Sequence, residues 1–430
     1  MKNTIISKIL KIQNLIINSE ASKQSLVFSF GNFINSGIMA IAMILLSRYL
    51  GPKNFGVFSV SISLMFVISK FADLGLNQLI SRFMGQWFYQ NDKNEEFLKH
   101  ILWIKTLLSV ILLIIFLPSA SLLANLINYQ YLSMIYLSIV GSIFLEAYSY
   151  AYLVLSARHQ FIRLSLLNII QALIKLVSFI IIIWLFSTDL FGITTFYHLS
   201  PALSVLFISF YFREKLFYKP KIANLEIRKK INRFWFHSGV GVIMLTLIGN
   251  LDILLIQRYL NPFDTGVYAG AARIAAFVGT LSASVGTVLI SRVSRYKERS
   301  LIIRYLKKSS FLILVAIFGF IIYLPFSSFL IKYTIGPEYL AGNLATIYLV
   351  GNSFLGLILA PLTAIFYTLD KPNYFSINGF IQVACILIGT ILFIGDHGIM
   401  AASISRLAAT SISIVYSSVS VYWILKKYKK

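Results

Sequence analysis

Apolar stretches alternate with short polar connections along the whole chain. Those long enough to cross about 30 Å of hydrocarbon as an α-helix number twelve, at residues 24–47, 56–81, 98–117, 131–155, 162–186, 190–212, 235–257, 265–290, 309–331, 342–368, 373–394 and 398–425. This pattern predicts an all-α polytopic membrane protein with about 12 transmembrane helices. A composition of 58% hydrophobic and 12% charged residues, too apolar for a soluble globule, agrees with it.

One segment of this pattern occurs twice. RYLGPKNFGVF at residues 48–58 returns without gaps at 258–268 as RYLNPFDTGVY, and six of the eleven positions are identical, including an Arg, a Pro and a Gly. Each copy lies between the first and second spans of a set of six. The sequence therefore predicts two six-helix lobes related as diverged parallel repeats. The alternative is a tight connection that arose twice, because Pro and Gly suit any turn.

The repeat also predicts the domain boundaries. The first residues carry Lys among Ile and Leu but have neither an uninterrupted apolar core nor a small-residue cleavage site, so they resemble an amphipathic segment and not a signal peptide. The predicted order is a cytoplasmic lead-in (1–23), an N-lobe (24–212), a basic cytoplasmic linker (213–234), a C-lobe (235–425) and a basic tail (426–430).

Basic residues predict the orientation of the chain. They concentrate in the N-terminus, in the connections that follow even-numbered spans and in the C-terminal tail, whereas the other connections contain only Arg48, Lys53, Arg258 and Lys332. The positive-inside rule then places both termini in the cytoplasm. The net charge of +23 is mostly this topology signal. We expect the basic loops to lie against anionic lipid headgroups, with no nucleic-acid partner.

Motifs of catalysis are missing from the sequence. It has no GxxxxGK[ST] phosphate loop, no HExxH and no GxSxG elbow. Its five His residues are scattered, and Cys385 is the single Cys, which excludes an intrachain disulfide. These observations predict a protein that is not an enzyme and that uses neither a metal nor a cofactor.

Ionisable residues inside the spans are the strongest functional signal. Each is costly in lipid, so we expect it to face an interior cavity. At 1.5 Å per residue, Lys70 and Lys175 lie about 20 Å from one end of their spans, near the midplane, whereas Arg273 and Arg406 lie about 12 Å below the external ends. The full set is Lys70, Lys105, Lys175, Arg273 and Arg406 with Asp73, Glu146 and Asp252.

A cavity with more cations than carboxylates suits a substrate that carries phosphate, because ammonium and guanidinium groups replace the water that a diphosphate loses. The alternative is internal ion pairing, with Lys70 bound to Asp73 and Asp252 bound to Arg273. Lys175 and Arg406 have no partner close in sequence, which favours the substrate. Lys105, about 10 Å from the cytoplasmic end of its span, is expected to extend to the membrane surface.

Two runs of sequence resemble a known family. SRYLGPKNFGVFSVSISL followed by ADLGLNQLISR, within residues 47–82, is similar to the N-terminal signature of Wzx-type polysaccharide (O-antigen) repeat-unit flippases. LDILLIQRYLNPFDTGVYAGAARI, at residues 251–274, resembles the counterpart in the second lobe. These flippases belong to the multidrug/oligosaccharidyl-lipid/polysaccharide (MOP) exporter superfamily, and the resemblance implies a MATE-like arrangement of the two lobes.

The resemblance implies a function as well. Such a protein flips undecaprenyl-diphosphate-linked oligosaccharides to the external leaflet of the bacterial inner membrane by alternating access. The partners that the resemblance implies are this glycolipid, membrane lipids and the polysaccharide polymerase and chain-length machinery. The candidates for diphosphate contact are Lys70, Lys175, Arg273 and Arg406. The candidates for gating or ion coupling are Asp73, Glu146 and Asp252.

Other functions remain open from the sequence. A multidrug or small-cation antiporter of the same superfamily would favour a net acidic cavity, opposite to the one predicted. The related lipid II flippases resemble a fourteen-span plan, whereas this chain is predicted to have twelve spans. A membrane-embedded glycan polymerase or ligase would need catalytic clusters or long external loops.

Overall fold

The computed structural model describes residues 20–86, 91–186, 189–213, 216–293, 298–369 and 372–427. These residues are almost entirely helical, and no strand occurs among them. Most of the predicted lead-in and the end of the basic tail lie outside the described residues.

Fourteen α-helices follow one another along the described chain. They are α1 (Glu20–Asp73), α2 (Leu76–Gln86), α3 (Asn91–Phe116), α4 (Ala120–Leu126), α5 (Leu132–Ala157), α6 (Phe161–Phe186), α7 (Leu190–Tyr211), α8 (Leu225–Tyr259), α9 (Pro262–Val293), α10 (Arg299–Ser309), α11 (Phe311–Thr334), α12 (Asn343–Thr368), α13 (Pro372–His397) and α14 (Ile399–Lys427). A 3-10 turn at Pro337–Gly342 connects α11 to α12.

The helices confirm the predicted membrane architecture. Ten described segments are long and apolar enough to cross a membrane. The first of them, in α1, is interrupted at Gly51 (φ 65°), so it contains the first two predicted spans. Helix α9, with 32 residues, coincides with the eighth predicted span. The protein is therefore a multi-pass helical membrane protein with about twelve crossings, as predicted.

The predicted linker is partly helical. Helix α8 begins at Leu225, ten residues before the span predicted from residue 235. Its first turn is capped by Asn224, whose Oδ1 accepts a hydrogen bond from the Ile227 amide (3.0 Å), and Glu96 accepts one from the Asn224 amide (2.7 Å). This cap satisfies amides that a helix start leaves unpaired. The cap at Asn224 therefore explains why α8 begins within the strongly charged linker.

Contacts between residues divide the chain into two compact units. Unit 1 comprises the described residues of Met1–Met43, Leu76–Ile111 and Val140–Trp235. Its core packs α2 and α3 against the start of α8, through residues such as Leu79, Ile101 and Ile231. A second cluster joins α5, α6 and α7 through Leu155, Leu167 and Val205.

Unit 2 comprises Ile44–Gly75, Leu112–Ile139 and the described residues of Phe236–Lys430. Helix α9 packs along α12, and α14 packs along both α12 and α13. Unit 2 therefore includes segments from both predicted lobes. The lobe boundaries at residues 212 and 235 stay a prediction, drawn from the repeat and not from these contacts.

Candidate functional site

The two copies of the repeated segment meet within unit 2. A methyl group added to Gly56 would overlap the carbonyl oxygen of Pro262, and one added to Gly266 would overlap the carbonyl oxygen of Pro52. The same added atoms would lie 2.8 Å from the Gly266 nitrogen and 2.9 Å from the Gly56 nitrogen. Two helix backbones thus touch with no side chain between them, which only Gly permits. We call Pro52–Gly56 with Pro262–Gly266 the repeat contact.

Two equivalent arginines flank the repeat contact, and each binds the other repeat. Arg48 donates from Nε to the Thr334 carbonyl (2.6 Å) and from Nη2 to the Tyr333 carbonyl, at the end of α11. Arg258 donates from Nη1 to the Asn125 carbonyl (2.9 Å), in the last turn of α4. A cation at a helix C-terminus satisfies free carbonyl groups and opposes the negative end of the helix dipole.

Two tyrosines bind carbonyls in or next to the first copy of the repeat, and sequence analysis missed both. Tyr339 donates to the Ser47 carbonyl (2.8 Å), and Tyr129 donates to the Val57 carbonyl (2.8 Å). Burial raises the pKa of Tyr129 well above the ordinary value, so its hydroxyl remains a donor. The two tyrosines are separated by the same interval as the two repeat copies. Searching for polar residues at that interval would have found them.

Asp252 is the centre of a buried charged cluster in unit 2. Its side chain is 0% exposed. Oδ2 accepts hydrogen bonds from the Tyr268 hydroxyl and from Nη1 of Arg406, and Oδ1 accepts one from the Ile253 amide (3.0 Å). The sequence suggested a pair of Asp252 with Arg273 as the alternative to substrate contact, and this pair does not form. The last helix, α14, supplies the cation.

Arg273, unlike Arg406, is not bound to Asp252. It is half-buried on α9. It forms no hydrogen bond or ion pair with any residue in the part of the chain that the structure describes. Among the four predicted diphosphate contacts, Arg273 therefore has a guanidinium group available for an anion, whereas Arg406 is already bound to a carboxylate.

Unit 1 contains a second buried ion pair. Lys105 on α3 donates to Oε2 of Glu146 on α5 at 2.6 Å, and the two side chains are 5% and 3% exposed. The expectation that Lys105 extends to the membrane surface was wrong. A carboxylate at the same depth makes burial of the ammonium less costly than extension.

The remaining predicted site residues occupy separate places. Lys175 on α6 is buried, and its Nζ lies 4.0 Å from the ring centre of Tyr197 on α7, a cation–π contact within unit 1. Lys70 is half-buried and Asp73 is buried, both at the end of α1 in unit 2. Pairing of Lys70 with Asp73 stays a prediction. Within the described ranges, no three His, Cys, Asp or Glu side chains come together to hold a metal.

A family model matches residues 21–290, more than half of the chain, and its description is "Polysaccharide biosynthesis protein". This chain belongs to the polysaccharide biosynthesis protein family. The match includes both copies of the repeated segment, the Asp252 carboxylate and Arg273. The family predicted from the resemblance is thus confirmed at this level.

Solved structures show where the fold of this polysaccharide biosynthesis protein occurs elsewhere. The lipid II flippase MurJ in an inward closed conformation is similar with a TM-score of 0.76 and 15% identity, over 92% of this chain and 87% of MurJ. An inward-facing MATE family transporter of the MOP superfamily has a TM-score of 0.71 and 15% identity, over 98% and 99%. At these identities the likeness shows a shared fold.

A more distant likeness extends the same fold group. A MOP superfamily transporter from Pyrococcus furiosus Vc1 has a TM-score of 0.57 and 16% identity, over 93% of this chain and 96% of that protein. Among curated proteins, none matches the sequence. The MATE-like arrangement implied by the sequence resemblance is confirmed as the fold of this family member.

Proposed function

We propose that this protein is a Wzx-type flippase, which moves undecaprenyl-diphosphate-linked oligosaccharide repeat units from the cytoplasmic to the external leaflet of the bacterial inner membrane. The product serves the synthesis of O-antigen or another surface polysaccharide. Family membership and the fold shared with a lipid II flippase support a lipid-linked substrate. The protein performs no covalent chemistry in this proposal and needs no cofactor.

The observation that carries the proposal is the state of the interior cations. Glu146 and Asp252, two of the three carboxylates predicted for gating, are bound to Lys105 and Arg406. Arg273 has no anionic partner among the described residues. A half-buried guanidinium is stabilised when an anion replaces its lost water, and a diphosphate accepts its paired N–H groups. The proposed C-lobe contact with the diphosphate is therefore Arg273.

The other predicted contacts have secondary roles in this proposal. Lys175 contributes positive charge to the site, and the contact of its ammonium group with the Tyr197 ring holds it in position. Lys70 supplies charge near the end of α1. Arg406 contributes through Asp252, which fixes its guanidinium group beside Tyr268.

The repeat contact supplies the gate. The basic residues predict cytoplasmic termini, which puts the contact, Arg48 and Arg258 at the external end of the helices. We propose that the contact is closed while the protein accepts substrate from the cytoplasm and separates when the substrate leaves. At the glycines the backbones touch without interdigitating side chains, so separation there leaves no side-chain cavity. It would break the hydrogen bonds of Arg48, Arg258 and Tyr339 to the other repeat. Alternating access requires such a bistable interface.

Deletion of the gene tests the proposed substrate. We expect loss of the surface polysaccharide together with accumulation of lipid-linked repeat units on the cytoplasmic leaflet. Normal polysaccharide and normal lipid distribution, in a strain without a second flippase, would contradict the proposal and favour small-molecule export.

Complementation of the deletion strain tests Arg273. We expect Arg273→Ala to reduce surface polysaccharide at least about tenfold, the equivalent of 1.4 kcal/mol, and Arg273→Lys to restore part of it. The matched control is Arg304→Ala, since Arg304 is an exposed arginine on α10. Full polysaccharide with Arg273→Ala, at equal protein level, would remove Arg273 from the diphosphate site.

A further inference from the structure

A cavity inside unit 2 lies apart from the charged cluster. Its volume is about 290 Å³, and α8, α9, α12 and α13 each contribute one helix face to its wall. Each of these helices presents a Gly there, namely Gly241, Gly286, Gly356 and Gly379. Of these four positions, Gly241 faces open space, whereas a methyl group added at Gly286, Gly356 or Gly379 would contact a neighbouring helix. No charged residue lines the wall among the residues that the structure describes.

Polar groups interrupt this mostly apolar wall. Ser282 donates its hydroxyl to the Ser353 carbonyl (2.7 Å), and Thr363 donates to carbonyls of its own helix, so the oxygen of each remains able to accept. The amides of Asn378 and Gln382 lie on one face of α13, one helical turn apart. The wall thus combines apolar surface with hydroxyl and amide groups.

Asn378 is the group that points to a ligand. Its side chain is only 2% exposed, and its Oδ1 has no hydrogen-bond partner. A buried carbonyl oxygen without a donor is costly. Of the thirteen buried side-chain atoms without a partner among the described residues, Asn378 Oδ1 is the one that belongs to a residue lining the cavity. If the amide turns its oxygen toward the cavity, a ligand that brings a hydroxyl or N–H donor there removes this cost.

We infer that this cavity binds one neutral sugar of the oligosaccharide, with a hydroxyl or acetamido N–H of that sugar donating to Asn378 Oδ1. A pyranose has an apolar C–H face and a rim of hydroxyl groups, which matches glycine-lined helix faces interrupted by amides and hydroxyls. An isoprenoid chain would fill the space but leave Asn378 unpaired. An anionic sugar would find no counter-charge. The inference rests on the proposed function, since it specifies the glycan part of the substrate.

Gly241 allows the cavity to be filled with little disturbance. A methyl group added there would have no atom within 4 Å, so Gly241→Leu extends into the cavity. Gly249, on the same helix α8, also has open space around it and does not line the cavity. Gly249→Leu is therefore the matched control. Asn378→Leu keeps the side-chain volume and removes the amide.

Two measurements on the full-length variants test the inference. The first is translocation, in proteoliposomes, of the glycolipid extracted from the deletion strain. The second is saturation-transfer NMR between protein in nanodiscs and the methyl glycosides of the sugars found in the surface polysaccharide. We expect Gly241→Leu and Asn378→Leu to lower translocation at least tenfold and to abolish the NMR transfer for one glycoside, while Gly249→Leu changes neither. Asn378→Leu should unfold at the same temperature as the parent protein or higher, which a structural role for the amide would not allow.

The outcomes separate this inference from the proposed function. If the parent protein translocates the glycolipid and Gly241→Leu does so equally well, the sugar site is wrong and the flippase stands. If the parent protein translocates no glycolipid but still binds a glycoside that Gly241→Leu does not bind, the flippase is wrong and the sugar site stands. Absence of glycoside binding by the parent protein would overturn the sugar site.

Discussion

The two copies of the repeated segment share the residues that form the contact between them and differ in the residues that make the turn. Both copies keep the Arg that binds the opposite repeat, the Pro whose carbonyl is touched and the Gly that permits the touch. The residues that make the turn differ. Gly51, with φ 65°, breaks α1, whereas Asn261 starts α9 by accepting a hydrogen bond from the Asp264 amide (3.0 Å).

The same comparison locates the charged cluster. Ala42 and Phe58 of the first copy are equivalent in position to Asp252 and Tyr268 of the second, and all four side chains are 0% exposed. One repeat thus packs apolar side chains where the other buries an ion pair with Arg406. Both copies thus provide the contact between them, whereas the second copy alone has a charged interior at this place.

Breaking the charged cluster should have the largest effect on stability. Asp252→Ala makes the second copy like the first but leaves Arg406 without its carboxylate, and removal of one partner of a buried pair costs about 3–5 kcal/mol. We expect a clearly lower temperature of unfolding in detergent. The exposed Asp396 provides the control, Asp396→Ala, with no change expected.

A double variant sharpens that result. Asp252→Ala combined with Arg406→Met removes both charges and fills the space with an apolar side chain, so it should recover most of the lost stability. If the double variant unfolds at as low a temperature as Asp252→Ala, the cluster is not held by the ion pair.

Adding one methyl group to either half of the repeat contact should have the next largest effect. Gly56→Ala and Gly266→Ala both force the backbones apart, and overpacking costs about 1–3 kcal/mol. We expect the two variants to reduce glycolipid translocation to a similar extent, about tenfold, which is 1.4 kcal/mol. Gly37→Ala and Gly249→Ala, at glycines with open space, are the controls. A loss confined to one of the two copies would show that the contact is not reciprocal in function.

Loss of either arginine should have the smallest effect, and the two losses should be unequal. Arg48 binds two carbonyls and Arg258 binds one, and both side chains are exposed. A cation at a helix C-terminus contributes about 0.3–1 kcal/mol. We expect Arg48→Ala to lower the unfolding temperature more than Arg258→Ala does, and high salt to reduce the difference. The opposite order would contradict the hydrogen bonds described for Arg48.

The sequence predicted the features that depend on local pattern. Apolar runs and polar connections determine the spans, and the repeated RYLxPxxxGV identifies the residues of the repeat contact, although not the contact itself. The local pattern of a sequence does not indicate which side chains on distant helices pair. Arg406 lies 154 positions from Asp252, and depth within the membrane made Arg273 an equally good partner. Only packing of α14 against the other helices of unit 2 decides between them.

The prediction for Lys105 was wrong for the same reason, because its partner lies on another helix. Its position near one end of a span predicts extension to the surface, because a long side chain can reach water. The structure instead places Glu146, 41 positions away, within 2.6 Å of its ammonium group. Burial of a charge depends on the partner that the fold supplies, and the position of a residue within one span does not reveal a partner on another helix.

The most direct test of the central claim is to hold the repeat contact closed during transport. Cysteines replace Asn125 and Arg258, both exposed and joined by a hydrogen bond, in a chain whose native cysteine is changed by Cys385→Ser. A short thiol cross-linker then connects the repeats in proteoliposomes, with each single-cysteine variant as control. We predict glycolipid translocation before cross-linking and none after it, with the controls unaffected. Translocation at an unchanged rate by fully cross-linked protein would contradict the account.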